Sequence, residues 1–249
     1  MKILALETTE RFGSVALLKS RGRSEAQSPD ILAEITLPKD RRSSQTLHPA
    51  LHTLFETTQT APSEIELVAV VAGPGSFTGL RVGVTAAKVF AYTIGAKIIA
   101  LDTFETVTVA TGDAVPDSQG SAISVGVDAQ RGEVVAAVLR QTEAGHVEML
   151  REPKLMTVAD WWKHADLHAN ILFTGPALER WHGKAPPHLV LAEESYWFPK
   201  ASVAGKLVAQ QFSSGYFDDL WSLLPIYSRL SAAEEKRNAT YLAGTPATS

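Results

Sequence analysis

Cysteine is absent from the 249 residues, which excludes disulfides, thiol nucleophiles and thiolate metal sites. Clustered basic charge is scarce. The net charge is −4, and the one dense run, Lys39-Asp40-Arg41-Arg42, is short and interrupted. A chain that holds nucleic acid alone gathers Lys and Arg to neutralise phosphates, so independent RNA binding is not expected. No apolar run approaches the roughly 18 residues needed to span a bilayer. The opening Met1-Lys2-Ile3-Leu4-Ala5-Leu6-Glu7 reaches a carboxylate too soon for a secretory core. A cytoplasmic protein without membrane contact is the expectation.

Several catalytic signatures are missing too. His48/His52 and His164/His168 are spaced four apart, as helical metal ligands are. No glutamate follows the first histidine of either pair and no third ligand is identifiable, so both pairs are assigned to solvent-facing surfaces. Ser76 lacks the second flanking glycine of a serine-nucleophile turn. The glycine-rich stretch around it has no Walker-type lysine and no G-x-G-x-x-G spacing.

That stretch, Gly73-Pro74-Gly75-Ser76-Phe77-Thr78-Gly79-Leu80-Arg81-Val82-Gly83, is what the chain is organised around. The β-branched run Leu67 to Ala72 before it reads as a buried strand. Leu80, Val84, Ala87, Ala91 and Ile94 after it mark one helix face. A loop entering a helix N-terminus can bind an anion. The other explanation is that its glycines let a second element come close. The opposite side of the helix carries Gly79, Val82, Gly83, Ala86, Val89 and Phe90, so it too requires a cover, either within the chain or on a partner.

With 45% hydrophobic residues the chain can bury a real core, as one large domain or two small lobes. Strands are expected at 3–6, 14–18 and 31–37. An amphipathic helix over 44–58 places Leu47, Ala50, Leu51, Leu54 and Phe55 on one face and Pro49 in its first turn. A strand over 97–101 leads into a helix from about 102. The opening then returns: Ser124 to Val127 ends on Asp128-Ala129-Gln130, turns at Arg131-Gly132, and comes back over 133–139. This predicts two α/β lobes from a duplicated β-β-β-α-β-α unit, the first over 1–110 and an abbreviated second over 120–230. A polar tail follows over 231–249, in which Asn238-Ala239-Thr240 is a chance glycosylation match. In the second lobe, strands near 146–150, 171–173 and 190–191 and helices near 157–164 and 202–212 are expected, then an extended Pro225-Ile226-Tyr227. Glu7, with Thr8 and Thr9, would face Asp128 across the cleft between lobes, where ligand sites concentrate. These carboxylates either position magnesium and phosphates or serve as turn residues. Glu10, Arg11 and Phe12 crowd the first turn, so a phosphate site there is poorly made.

These residues resemble the dimerisation subunit of the bacterial tRNA threonylcarbamoyl-adenosine transferase complex, a family once labelled glycoprotease-like. The matching pieces are Ile3 to Thr9, the motif from Gly73 to Gly83, Asp128 to Val134, and Pro225-Ile226-Tyr227-Ser228-Arg229. Glu7 stands where aspartate is usual, Ser43-Ser44 where histidine-serine is usual, and Gln130 where arginine is usual. The resemblance implies an actin-like, hexokinase-like fold with a vestigial ligand cleft at Glu7, Thr8, Thr9 and Asp128. The catalytic sibling binds its metal through two histidines bracketing a glutamate. The comparable stretch here, Thr103-Phe104-Glu105-Thr106-Val107, has neither. The resemblance therefore implies a non-catalytic partner with no metal or cofactor of its own, ATP and metal residing on other subunits. It would dock on the catalytic sibling through Leu47, Leu51, Leu54, Phe55, Leu80, Gly83, Val84, Ala87, Phe90 and Ala91. It would act with the ATPase subunit, meet tRNA only through the complex, and pair with a second copy when the sibling is absent. A stand-alone ATPase or small-molecule kinase of the same fold is the alternative. A metallopeptidase follows only from the old label, and the missing ligands speak against it.

Overall fold

A computed structural model describes residues 1–20, 28–114, 120–142, 146–168 and 170–228. The expected turn at Gly145, Arg229 and the tail over 231–249 lie outside the described residues.

Two five-stranded mixed sheets carry the chain. The first has β1 (Lys2–Glu7), β2 (Ser14–Lys19), β3 (Asp30–Thr36), β4 (Ile65–Gly73) and β5 (Lys97–Asp102), in the spatial order β3-β2-β1-β4-β5. The second has β6 (Ile123–Asp128), β7 (Glu133–Gln141), β8 (Val147–Thr157), β9 (Leu172–Thr174) and β10 (Val190–Leu191), in the order β8-β7-β6-β9-β10. Both orders read third, second, first, fourth, fifth. In each sheet the first three strands pair antiparallel and the last two join in parallel. This is the expected actin-like, hexokinase-like duplication, and β9 and β10 are its abbreviated end.

β1 and β4 read as continuous apolar runs because each is flanked by strands on both sides and covered on both faces. On one face, Leu4, Leu6, Val68 and Val70 pack against α1 (Ser43–Thr58) and α2 (Phe77–Ile94). On the other, Ile3, Ala5, Leu67 and Ala69 pack against α3 (Thr103–Ala114) and α6 (Ala201–Ser213). Helix α3 lies between the sheets: Val109 and Ala110 join the first core, Phe104 and Val107 the second. The remaining helices, α4 (Val158–Trp162) and α5 (Leu178–Trp181), cover the second sheet, with Trp161 and Leu178 fully buried.

Some elements differ from the sequence reading. Helix α1 begins at Ser43, which puts Pro49 in its interior rather than its first turn. Pro49 and Gln45 lie on the exposed side, where a carbonyl left without its helical donor can bond water. Strand β8 runs to Thr157, well past Leu150. Its Arg151-Glu152-Pro153-Lys154 segment hides the strand from pattern reading, and an edge position tolerates it. Helix α6, read with the second lobe, packs on the first sheet because its Ala204, Leu207 and Val208 meet that core. His164 is buried, with Nδ1 2.9 Å from the Ser124 hydroxyl, which also accepts from Trp161 Nε1 at 2.9 Å. It does not face solvent, unlike His48 and His52 on α1.

Candidate functional site

The interlobe turns are built alike. Glu7 ends β1 and its Oε1 accepts from Thr9 N and Thr9 Oγ1, both at 2.5 Å. Asp128 ends β6 and its Oδ1 accepts from Gln130 N at 3.0 Å. Each carboxylate thus bonds the amide two residues on, the turn role of acidic residues at strand ends. The second turn is tight, with positive φ at Gln130, Arg131 and Gly132. Glu7 is wholly buried and its Oε2 has no hydrogen-bond partner among the described residues, whereas Asp128 is partly exposed and lies 3.5 Å from Arg180.

Glu10, which the sequence offered only as a crowding residue, sits where these ends converge. Burial pushes its carboxyl well above the ordinary carboxylate range, and the charges of Glu7, Glu179 and Asp128 add to the rise. Burial also raises Glu7 to about 7, against the lowering effect of the Thr9 bonds. Glu105 on α3 rises to about 7 through burial and then the neighbouring Asp102 charge. Three carboxyl groups gathered at these strand ends form a poor seat for phosphate. Among the described residues no group of three or more His, Asp or Glu side chains is placed to hold a metal ion.

The glycine motif is turned towards this same region, and its spacing records what it touches. A Cβ on Gly75 would stand 2.6 Å from the Thr9 carbonyl oxygen. One on Gly79 would overlap the Thr8 carbonyl oxygen, and one on Gly83 the Thr8 hydroxyl. Three of the backbone donors are engaged within the fold. Ser76 N donates to Thr9 O at 2.6 Å, Gly79 N to Ser76 Oγ at 3.4 Å, and Leu80 N to Ser76 O at 2.8 Å. Thr8 Oγ1 donates back to Gly79 O at 2.8 Å. Gly73 precedes a cis proline, has φ 122°, and leaves no room for a Cβ beside the Ile226 carbonyl. The motif is therefore a close-packing device whose glycines let α2 approach Thr8 and Thr9.

The expected docking residues require correction. Leu47, Leu54, Leu80, Gly83, Val84, Ala87 and Ala91 are buried inside this chain, because they form the contact of α1 and α2 with the first sheet. Leu51, Phe55 and Phe90 are half-buried, the two rings stacked at 5.7 Å where the helices meet. What α2 shows outward is Phe77, Val89 and Tyr92, with Thr78 and Arg81 also exposed.

The second face of α2 is bordered by a segment that sequence reading caught only at Pro225-Ile226-Tyr227. Residues 216–227 run as a strap from the β5 edge to the glycine motif. Asp218 N donates to Ile98 O at 2.9 Å, and Asp218 Oδ2 accepts from Ala100 N at 2.7 Å, which pairs the open strand edge. Leu220 and Leu223 enter the core beside α2, and Lys88 Nζ donates to Leu223 O at 2.9 Å. Ile226 N bonds Ala72 O at 2.7 Å. Tyr92 meets Trp221 at 5.4 Å, while Arg81 lies 3.8 Å over Phe77 and donates to Tyr227 Oη at 3.0 Å. Trp221, which meets Tyr92, and Leu224 are each 72% exposed, and Val89 on α2 is exposed as well. The apolar spacing of Leu220, Trp221, Leu223 and Leu224 before Pro225 was the available signal.

The model of the family described as TsaD, tRNA N6-adenosine threonylcarbamoyltransferase, matches residues 30–231. A Bacillus subtilis (strain 168) protein named tRNA threonylcarbamoyladenosine biosynthesis protein TsaB is 28% identical over 251 residues, 95% of this chain and 97% of that protein. The Escherichia coli (strain K12) protein of the same name is 26% identical over 243 residues, 95% of this chain and 98% of that protein. The solved structure of YeaZ from Pseudomonas aeruginosa superposes with a TM-score of 0.71 at 20% identity, covering 91% of this chain and 99% of its own. Another structure, described as an uncharacterized protein with similarity to peptidase YEAZ from the same organism, gives 0.72 at 22% identity, covering 92% and 99%. At those identities the likeness concerns the fold.

Proposed function

The chain belongs to the family described as tRNA N6-adenosine threonylcarbamoyltransferase, TsaD, and from that premise we propose that it is a non-catalytic partner subunit in tRNA threonylcarbamoyl-adenosine modification. The relatives named as threonylcarbamoyladenosine biosynthesis proteins, matched over nearly their whole length, support that pathway. One observation supports the non-catalytic role: Thr8 and Thr9 are packed onto Gly75, Gly79 and Gly83, so the glycines serve a contact within the chain rather than an open phosphate loop. The α3 stretch agrees with it. Thr103 is fully buried with its hydroxyl donating to Pro74 O at 2.7 Å, and Val107 is a core residue. Neither side chain offers a metal ligand of the imidazole kind.

In this reading the subunit docks on and stabilises the catalytic member, works with the ATPase subunit, and meets tRNA only within the complex. ATP and metal belong to those partners, and a homodimer forms when the catalytic member is missing. The cytoplasm is its place; no helix among the described residues is long and apolar enough to cross a membrane. The docking face is the outward side of α2 with the strap, where Tyr92 and Trp221 provide the aromatic anchors that dominate interfaces.

The test is copurification with a tagged catalytic subunit. The double substitution Tyr92→Ala/Trp221→Ala is expected to abolish it while the purified chain keeps its circular dichroism spectrum; undiminished copurification would remove this surface from the reading. The rival, a stand-alone ATPase or small-molecule kinase, is favoured by one feature, the Oε2 of buried Glu7, which has no hydrogen-bond partner among the described residues. Steady phosphate release by the purified chain, lost in Glu7→Gln, would replace the partner reading with that one.

A further inference from the structure

A cleft of about 510 Å³ opens between the β1–β2 turn and β3 on one side and residues 194–200 on the other. It falls within the size range of small-molecule sites and lies between the parts of the chain that carry the two sheets. The functional reading above makes no use of its polar groups.

The wall next to α6 is built and fixed. Ser14, only 4% exposed, donates through Oγ to Glu34 Oε1 at 2.9 Å and accepts from Ala201 N at 2.9 Å. Ser202 N donates to the same Glu34 oxygen at 3.0 Å. Two donors and the α6 N-terminus thus hold the carboxylate in place. Its other oxygen, Oε2, has no protein donor among the described residues. Lys200, also on the lining, makes no ion pair among the described residues, and its ammonium lies 5.6 Å from the Tyr196 ring. Phe12 and Phe198 meet at 4.3 Å between the two sides and supply an aromatic surface. Lys39 rests its ammonium 3.7 Å over the Phe12 ring, which leaves the Phe198 side of that pair for a ligand.

A held carboxylate and a lysine ammonium without an ion pair among the described residues, on one lining with Phe12 and Phe198, complement a ligand with the opposite pair on a short apolar body. We infer that this cleft binds a small zwitterion, an α-amino acid with an apolar side chain. Its ammonium lies on Glu34, its carboxylate on Lys200, and its side chain against Phe12 and Phe198. The assignment is independent of the docking face and of the partner role.

Calorimetric titration of the full chain with L-phenylalanine, phenethylamine and 3-phenylpropionate tests it. L-phenylalanine is expected to saturate the cleft. Each singly charged analogue should bind about fivefold more weakly, the ratio a solvent-exposed ion pair supplies. Glu34→Gln keeps an oxygen for Ser14 and Ser202, so it should weaken L-phenylalanine and phenethylamine but spare 3-phenylpropionate. Lys200→Met should do the reverse, weakening L-phenylalanine and 3-phenylpropionate only. Absence of saturation at millimolar ligand, binding of either analogue as tight as that of L-phenylalanine, or affinities unchanged in both variants would each overturn the assignment.

Discussion

Gly83 offers the sharpest test of what the glycine motif is for. Its α-carbon faces the hydroxyl of Thr8, a side chain 1% exposed that donates to Gly79 O at 2.8 Å. In Gly83→Ala the new methyl overlaps that hydroxyl. Thr8 must turn away and give up a buried bond, or α2 must lift from β1. Overpacking of this kind costs about 2 kcal/mol and the lost bond about 1 kcal/mol. Replacing a helical glycine returns about 1 kcal/mol through backbone entropy. The net expectation is a loss of about 2 kcal/mol, read from urea unfolding midpoints at constant slope. The same substitution in a Thr8→Ala background meets no hydroxyl, and there it should be neutral or stabilising by up to about 1 kcal/mol. The two changes are therefore strongly non-additive. Gly79→Ala should find no such rescue, because its obstacle is the Thr8 backbone carbonyl rather than a side chain. If Gly83→Ala is neutral with Thr8 intact, or its cost is the same in both backgrounds, the close-packing account fails.

Glu7 should make stability depend on pH. Its folded value of about 7 stands above the ordinary 4.5, so between those values the unfolded chain releases a proton that the folded chain keeps. Stability then falls as pH rises from 4.5 to about 7 and levels off above, by roughly 3 kcal/mol at most. Glu7→Gln keeps the acceptor for Thr9 and removes the titration, so its unfolding midpoint should gain on the parent across that window; parallel curves would refute this. Ser124→Ala removes the group that satisfies both buried Trp161 Nε1 and His164 Nδ1. A loss of about 2 kcal/mol or more is expected in thermal unfolding, and a change under about 0.5 kcal/mol would show that neither bond matters.

The succession of elements along the chain, their duplication and the organising role of the glycine stretch were legible in the sequence because they are written locally. Apolar runs such as Ile3 to Leu6 and Leu67 to Ala72 state that a strand is buried on both faces. Glu7-Thr8-Thr9 and Asp128-Ala129-Gln130 state where a strand ends and turns. Strand β8 was only half legible, because an edge strand carries charges and a proline that no buried strand would.

What no single stretch could state is which surfaces meet. The spacing of Leu47, Leu80, Val84 and Ala87 marks an apolar helix face, but it is equally suited to a sheet of the same chain and to a partner. Tertiary packing decided for the sheet, since burial depends on the summed approach of segments far apart in sequence. The glycines were visible, yet their cause, the backbone of Thr8 and Thr9 some seventy positions earlier, was not. The course of the strap before Pro225 was hidden for the same reason: Asp218 becomes an edge partner only when folding brings it to Ile98 and Ala100. Local pattern fixes what a segment is, whereas only the three-dimensional contact fixes what it covers.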